Sequence, residues 1–486
     1  MSKFQPINFY QSNKSSSYQL LPFSFDKLDQ RYILSNFSGE YLVVERDILD
    51  KLVNHQLTES DPDYLRLRAK QFLLDSRNDI APELLALKIR TRYVRLPEFT
   101  SLHIFVVSLR CEHSCPYCQV SRQSEDKSKY DMDEVVAFKS LDLVFQSPSN
   151  SIKIEFQGGE PLLNFELIKS IVLDAIKRNV QHQKNLGFVI ATNLALINKE
   201  ILNFCKEYQI VISTSLDGPE DLHNKNRPRP GKNSYQKAVE GIELAREVIG
   251  FQNVSALMTT TESSLKRVKE IINEYLKYGF DGIFLRALSP YGFAIKTKTY
   301  ASYKTEEWLD FYKEGLEYII DLNRNGIRFQ EYYASTILTK ILTSQDTGYV
   351  DLMSPSGIGI AAIVYNYDGN VHPSDESRML AEMGDNTFLM GNVLTNSYEE
   401  IFSSEALLKP LEESITVSVP RCHECAFEKY CGSEPVYHYS LHKDFVARKA
   451  ESEFCKKNTS IFKYLIQRME EDDFVMHLFT RWANRT

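Results

Sequence analysis

Between about residues 103 and 290, short β-branched or aromatic runs alternate with longer amphipathic ones, and that rhythm leaves few folds open. Strands that alternate with helices pair in parallel and bury their sheet beneath the crossovers. The runs His103–Leu109, Ile152–Phe156, Gly187–Ala191, Ile210–Ser215, Val254–Thr259 and Gly282–Leu285 are expected strands. Helices are expected over Met132–Phe145, Phe165–Arg178, Lys199–Tyr208, Tyr235–Val248 and Leu265–Tyr278. Six such units predict an α/β fold, a parallel sheet curled into a partial (β/α)6 barrel, with function at the carboxyl ends of its strands.

Outside this region the pattern changes. Tyr32–Leu34 and Tyr41–Val44 flank Asn36-Phe-Ser-Gly39 and predict a hairpin, followed by helices from Asp47 and over Tyr64–Leu74. This small α+β module, residues 1–98, reads as a cap on the barrel or as a peptide-recognition module whose strand edge accepts a further strand. The barrel is assigned to 99–330 and a cysteine-bearing segment to 331–486. That segment carries the hairpin signal Asn366-Tyr-Asp-Gly369 and ends on a charged helical stretch, Phe462–Phe474.

Directly after the first strand stands Cys111-Glu-His-Ser-Cys115-Pro-Tyr-Cys118. Four thiolates complete the coordination of a four-iron, four-sulfur cube, so a loop that gives three leaves one iron open to a small molecule. A zinc knuckle and three unrelated buried thiols are the competing readings. His113 would have to be the fourth zinc ligand, and inside the loop its reach is poor.

Glu155-Phe-Gln-Gly158-Gly159-Glu160-Pro161 closes the second strand. Two glycines there let backbone approach a ligand, and Glu160 can receive an ammonium group; the plain reading is a βα turn. The next strand ends, Thr192-Asn193 and Ser213 to Pro219, offer amides and hydroxyls to a ribose or carboxylate, or caps to the helices that follow. Cys422, Cys425, Cys431 and Cys455 supply four thiolates with no open position, which suits a fully ligated cluster or a structural zinc. Cys205 falls among helical Ile201, Leu202 and Phe204 and reads as core. Gly357 to Ala362 imitates a dinucleotide fingerprint but lacks a βαβ unit.

Partners are narrowed by charge and hydropathy. Lys and Arg total 57 against 65 Asp and Glu, a net charge of -8 with no long basic block, so nucleic acid is not expected as a partner. No run of apolar residues reaches the ~18 that span a membrane, and Met1 to Ser17 lack the apolar core of a secretion signal. A cytoplasmic, reducing setting is expected, where eight cysteines grouped as three, one and four suit metal ligation.

Residues 103 to about 460 resemble radical S-adenosylmethionine (SAM) maturases of the SPASM group, through the three-cysteine loop, Gly158-Gly159-Glu160 and the later cysteines. The stretches Leu102-His-Ile-Phe-Val-Val, Cys118-Gln-Val-Ser-Arg122, Tyr365 to Gly369 and Ser374 to Asp385 are most similar to the radical SAM maturase B group of His-Xaa-Ser peptide systems. The resemblance implies a SAM-binding 4Fe-4S cluster on Cys111, Cys115 and Cys118, and SAM contacts from Gly158, Gly159, Glu160, Asn193 and Ser215. It also implies one auxiliary 4Fe-4S cluster on Cys422, Cys425, Cys431 and Cys455. A second auxiliary cluster is not implied, because its expected cysteines fall at Ser374, at Pro435 and in Ser354-Pro-Ser-Gly357. Asp375 is the implied catalytic base, against the plain reading of a surface-turn carboxylate. The implied activity is reductive cleavage of SAM to a 5′-deoxyadenosyl radical that modifies a ribosomally made precursor peptide. A reductant such as flavodoxin or ferredoxin and a companion radical SAM maturase are the implied partners. Sulfatase-type oxidation of a protein residue and a zinc-stabilised binding module without turnover are the alternatives.

Overall fold

The computed structural model describes residues 17–77, 79–124 and 126–484. Its strands in chain order are β1 (Gln19–Leu20), β2 (Phe23–Leu28), β3 (Arg31–Asn36), β4 (Tyr41–Val44) and β5 (Leu73–Leu74) in the amino-terminal part. The central part holds β6 (Leu102–Ser108), β7 (Ser151–Gly158), β8 (Asn185–Ala191), β9 (Val211–Ser215), β10 (Val254–Leu257) and β11 (Gly282–Ile283). After these come β12 (Gln330–Glu331), β13 (Ala362–Tyr365), β14 (Asn370–His372) and β15 (Gly391–Asn392).

The main sheet runs β10-β9-β8-β7-β6-β13-β14-β15, with β6 to β10 and β13 parallel. Five of the six expected barrel strands thus lie side by side in sequence order. Helices Glu134–Val144, Phe165–His182, Lys199–Glu207 and Ser234–Ile249 connect them, and Val268–Lys277 leads on from β10 to β11. Ile154, Phe156, Ile190, Ile212, Ile168, Ile171 and Ile242 belong to one core, each almost wholly withdrawn from solvent. Cys205 sits in the same core with no exposure.

The sixth strand departs from expectation. β11 pairs with β12 instead of β10, and a Cβ on Gly282 would meet the Tyr332 ring at 2.6 Å and the Gln330 carbonyl oxygen at 2.9 Å. Glycine here lets β12 approach. The buried Glu331 carboxylate then accepts from the Leu285 amide at 3.0 Å, which takes over the backbone bond that a longer β11 would have made. At the other edge, β13 extends the sheet beside β6, and the turn Asn366–Gly369 joins it to antiparallel β14 as the hairpin signal predicts.

The expected amino-terminal hairpin forms as β3–β4, and β2 joins it as a third antiparallel strand. Two helices, Arg46–Val53 and Tyr64–Ala69, cover one face over Leu34, Leu42, Leu52, Leu67 and Phe72. Alternate residues Ile33, Tyr41 and Val43 face the other way into the main core. Arg92 fastens the join, donating to the carbonyls of Ser38 (2.6 Å), Lys340 (2.9 Å) and Lys429 (2.9 Å). Among the described residues no helix is long and apolar enough to cross a membrane.

Candidate active site

At the carboxyl ends of β6 to β10 lies a cavity of about 250 Å³. Cys111, Cys115 and Cys118 line it, with Gly158 and Gly159 after β7, Asn193 after β8 and Ser215 at the end of β9. Asp375 enters from the helix Asp375–Ala381. Residues scattered over 265 positions of sequence are thus gathered at one mouth. Parallel strands put every βα turn at the same end of the sheet.

Glycine is required at both positions of the β7 turn. A Cβ on Gly158, whose φ is +149°, would overlap the Ser108 carbonyl, and one on Gly159 would overlap the carbonyls of Leu109 and Arg110. The turn therefore lies flat against the start of the cysteine loop, and the Gly159 and Glu160 amides donate to the Ser108 and Arg110 carbonyls at 2.8 and 2.7 Å.

Glu160 is fully buried and lies behind the cavity wall. Its carboxylate accepts from the Thr192 hydroxyl (2.6 Å) and from the amides of Leu162 (3.1 Å) and Asn193 (2.9 Å). It ties the end of β7 to the end of β8. Burial, with Glu112 nearby, raises its pKa to about 8. Asn193 continues the chain of contacts, donating to Glu112 Oε1 at 2.9 Å and meeting His113 Nδ1 at 3.0 Å, while Gly158, Gly159 and Ser215 line the cavity.

The sequence left the role of Tyr117 and Arg227 unassigned. The Tyr117 hydroxyl donates to Asp217 Oδ2 at 2.7 Å, and Arg227 grips the same carboxylate at 3.0 and 3.2 Å with its guanidinium 5.5 Å from the Tyr117 ring centre. Asp217 also accepts from the Thr259 amide at 3.2 Å. Burial alone would raise the Asp217 carboxyl, but the Arg227 guanidinium, His223 and the Tyr117 hydroxyl hold it below the usual carboxylate range. One buried carboxylate thus pins the cysteine loop to the ends of β9 and β10. The signal was an aromatic between two cysteines and a carboxylate on a βα turn, neither of which names its partner.

Asp375 is held by Arg378, which reaches Oδ1 at 3.0 and 3.2 Å and also donates to the Val120 carbonyl at 3.1 Å. Among the described residues nothing hydrogen-bonds Oδ2. Ser374 caps this helix, its hydroxyl accepting from the Ser377 amide at 3.2 Å. Glu155, Gln157 and Arg286 also line the cavity, and none was singled out from sequence.

The four carboxyl-terminal thiols lie outside this cavity. Burial, with Cys431, Cys455 and Cys422 nearby, raises the Cys425 thiol. Buried Lys340 and Lys449 donate to the carbonyls of Cys431 (3.4 Å) and Gly432 beside them.

The donor sets fit clusters better than single ions. A tetrahedral zinc holds sulfurs at ~2.3 Å and so brings them within about 4 Å of one another. Among the described residues, the one trio of metal-ligating side chains with all ligand atoms within 4.8 Å is Cys111, Glu112 and His113, and neither cysteine set meets that spacing. Burial pushes the Cys115 thiol up to about 12, so a thiolate here would need a bound metal to stabilise it.

Residues 105–273 match the model of the radical SAM superfamily. This chain carries a radical SAM domain. The protein is accordingly an enzyme, and the cofactors of such a domain are a 4Fe-4S cluster and SAM. An uncharacterized protein of Methanocaldococcus jannaschii is 33% identical over 190 residues, which span 38% of this chain and 62% of that protein. The cysteine-type anaerobic sulfatase-maturating enzyme of Clostridium perfringens (strain 13 / Type A) is 24% identical over 337 residues, 68% of this chain and 87% of that one. Native anSMEcpe with bound AdoMet and Kp18Cys peptide shares the fold at a TM-score of 0.62 and 20% identity, over 80% of this chain and 99% of the other. Streptococcus suis SuiB bound to precursor peptide SuiA does so at 0.50 and 14%, over 88% and 98%. The matched residues run from within β6 past β10 and include the carboxyl ends of β6 to β10 that line the cavity.

Proposed function

We propose that this chain is a peptide maturase, which cleaves SAM reductively at Cys111, Cys115 and Cys118 and modifies a ribosomally made precursor peptide by hydrogen abstraction. The observation that carries the reading is the convergence of a three-thiol loop, two obligatory glycines and a carboxylate on one cavity at the strand ends. A peptide substrate is supported by the bound peptides of anSMEcpe and SuiB, whose fold this chain shares. When bound, the cluster and SAM supply a carbon-centred radical able to take hydrogen from an unactivated carbon.

The chain's own residues do the rest. Gly158 and Gly159 let ligand and backbone meet, while Asn193 and Ser215 offer polar atoms on the facing strand ends. Glu160 acts from behind, fixing the β7 and β8 turns that carry those groups. The enclosed strand ends exclude water and hold the target close. Where the product is an oxidised residue, Asp375 accepts the proton through Oδ2 while Arg378 keeps the side chain in place. Cys422, Cys425, Cys431 and Cys455 would hold a fully ligated auxiliary cluster.

Residues 1–98 serve peptide recognition, 99–330 the radical chemistry and 331–486 the auxiliary cluster. The edge of β2, unpaired among the described residues, with the half-exposed Phe25 ring beside Phe23 and Tyr32, is the docking edge for a leader strand. The electron comes from a flavodoxin- or ferredoxin-type donor in the cytoplasm, and a companion maturase shares the substrate. Sulfatase-type oxidation of a protein residue is a second reading, favoured by Asp375 in the cavity. Incubation with SAM and dithionite should yield 5′-deoxyadenosine from the wild type and none from the variant with Ala at 111, 115 and 118. Undiminished cleavage by that variant would sink the assignment.

A further inference from the structure

A second cavity, of about 420 Å³, opens beside the first. The two share Arg286, and consecutive residues of one helix serve them, Asp375 the first and Glu376 the second. The three segments where the resemblance leaves cysteines missing each supply a carboxylate to it: Asp351 before Ser354, Glu376 after Ser374 and Glu434 before Pro435.

Three carboxyl groups, Asp351, Glu376 and Glu434, face two cations, Arg286 and Lys457, and no ion pair within 4.0 Å joins any of the five among the described residues. At the rim, by contrast, Glu306 and Glu453 both pair with Lys456. Glu434 is 5% exposed, and burial with Asp351 and Glu376 nearby raises its carboxyl. Tyr291 and Trp308 also line the cavity at 1% and 2% exposure, and neither the Tyr291 hydroxyl nor Trp308 Nε1 has a hydrogen-bond partner among the described residues. Trp Nε1 only donates, so the missing partner is an acceptor. Buried polar groups are ordinarily satisfied, and leaving one bare costs about 1–3 kcal/mol.

Aromatic rings complete the lining. Lys457 Nζ already lies 6.0 Å from the Trp308 and Tyr333 ring centres and 5.9 Å from that of Phe454, so these rings tolerate a cation over their faces. A bare metal ion is a poor occupant, because the three carboxylates do not bring their oxygens within 4.8 Å of one another. An elongated occupant with a cation at one end and acceptors along it meets both demands.

We propose that this cavity seats a basic residue of the substrate peptide, its cation among Asp351, Glu376 and Glu434 and its amide carbonyls toward the Trp308 and Tyr291 donors. The peptide identity of the ligand rests on the function proposed above; the preference for a cation is independent of it. Anchored there, the residue presents its neighbour to the first cavity past Arg286.

Calorimetric titration of the anaerobic holoprotein, without SAM or reductant, with Nα-acetyl-lysine methylamide and its norleucine counterpart tests the cation. Binding of the lysine compound at least tenfold tighter is expected. Glu434→Gln and Asp351→Asn should each weaken it fivefold or more, leaving norleucine binding and peptide-independent 5′-deoxyadenosine formation unchanged. Equal affinity for the two compounds in the wild type, which needs no variant to fold, overturns the proposal, as does displacement of the lysine compound by one equivalent of Mn2+. A chain that binds the cation yet never cleaves SAM would refute the function and not the pocket.

Discussion

Asp217 shows how much a single buried side chain does here. It satisfies Tyr117, Arg227 and the Thr259 amide at once. Replacing one partner of a buried charge pair leaves the other uncompensated, which typically costs about 3–5 kcal/mol. Asp217→Asn should lower unfolding free energy by about that amount in denaturant titration and loosen the Cys115–Cys118 turn, so iron bound at the loop falls while iron at the distal thiols stays. Asp375 stands at the opposite extreme, touching little but Arg378. Asp375→Asn should leave 5′-deoxyadenosine formation intact and reduce modified peptide by about 10²-fold or more, read by mass spectrometry, as loss of a general base does. Equal loss of both activities would make Asp375 structural. Asp217 was legible as a carboxylate at a strand end, and Asp375 only through the resemblance. Their different duties were not, because Arg227 and Arg378 become partners only through the fold.

At the scale of elements, periodicity was a good guide wherever a segment was long and two-faced. β6 to β10 and their helices lie within a few residues of expectation, since apolar spacing reports burial directly. It failed where a neighbour distant in sequence decides. β11 is two residues long because Tyr332 and Glu331 compete for its edge, and nothing in Gly282–Leu285 announces them. β2 was missed because Phe23 to Leu28 mixes polar residues into a strand that pairs on one side only among the described residues. That edge gives a prediction. Phe25→Glu, at an exposed site, should change stability by less than about 0.5 kcal/mol yet weaken leader-peptide binding about tenfold in fluorescence anisotropy. Unchanged affinity would return residues 1–98 to the role of a cap.

For the whole molecule, the two thiol sets lie apart, the loop thiols on the strand-end cavity and the distal four outside it, with the amino-terminal sheet packed against the distal segment through Arg92 and through the Tyr430 hydroxyl, which donates to the Gly39 carbonyl at 2.9 Å. Seven of the eight cysteines are partly exposed at these sites, and Cys205 is not. Ligand arithmetic then allows two cubes and no third. Anaerobic reconstitution should load about eight irons per chain, and the variant with Ala at 111, 115 and 118 should keep about four that give no spectral response to SAM. About twelve irons, or zinc in place of the distal four, would overturn the count. The cysteine spacings carried this much in sequence, because ligand number is local. The acidic cavity beside the barrel was invisible, since Asp351, Glu376 and Glu434 belong to three segments that only tertiary packing unites.

Ser374 carries more than its own turn. Its hydroxyl caps a helix and is itself embraced by Ser377. A thiol is a weaker acceptor than a hydroxyl, and surrendering such a cap costs about 1 kcal/mol. A cysteine at 374 would therefore fray the first turn of a helix whose opening residues, Asp375 and Glu376, line two different cavities. One hydroxyl sets the aim of both, so the two pockets stand or fall in register with each other.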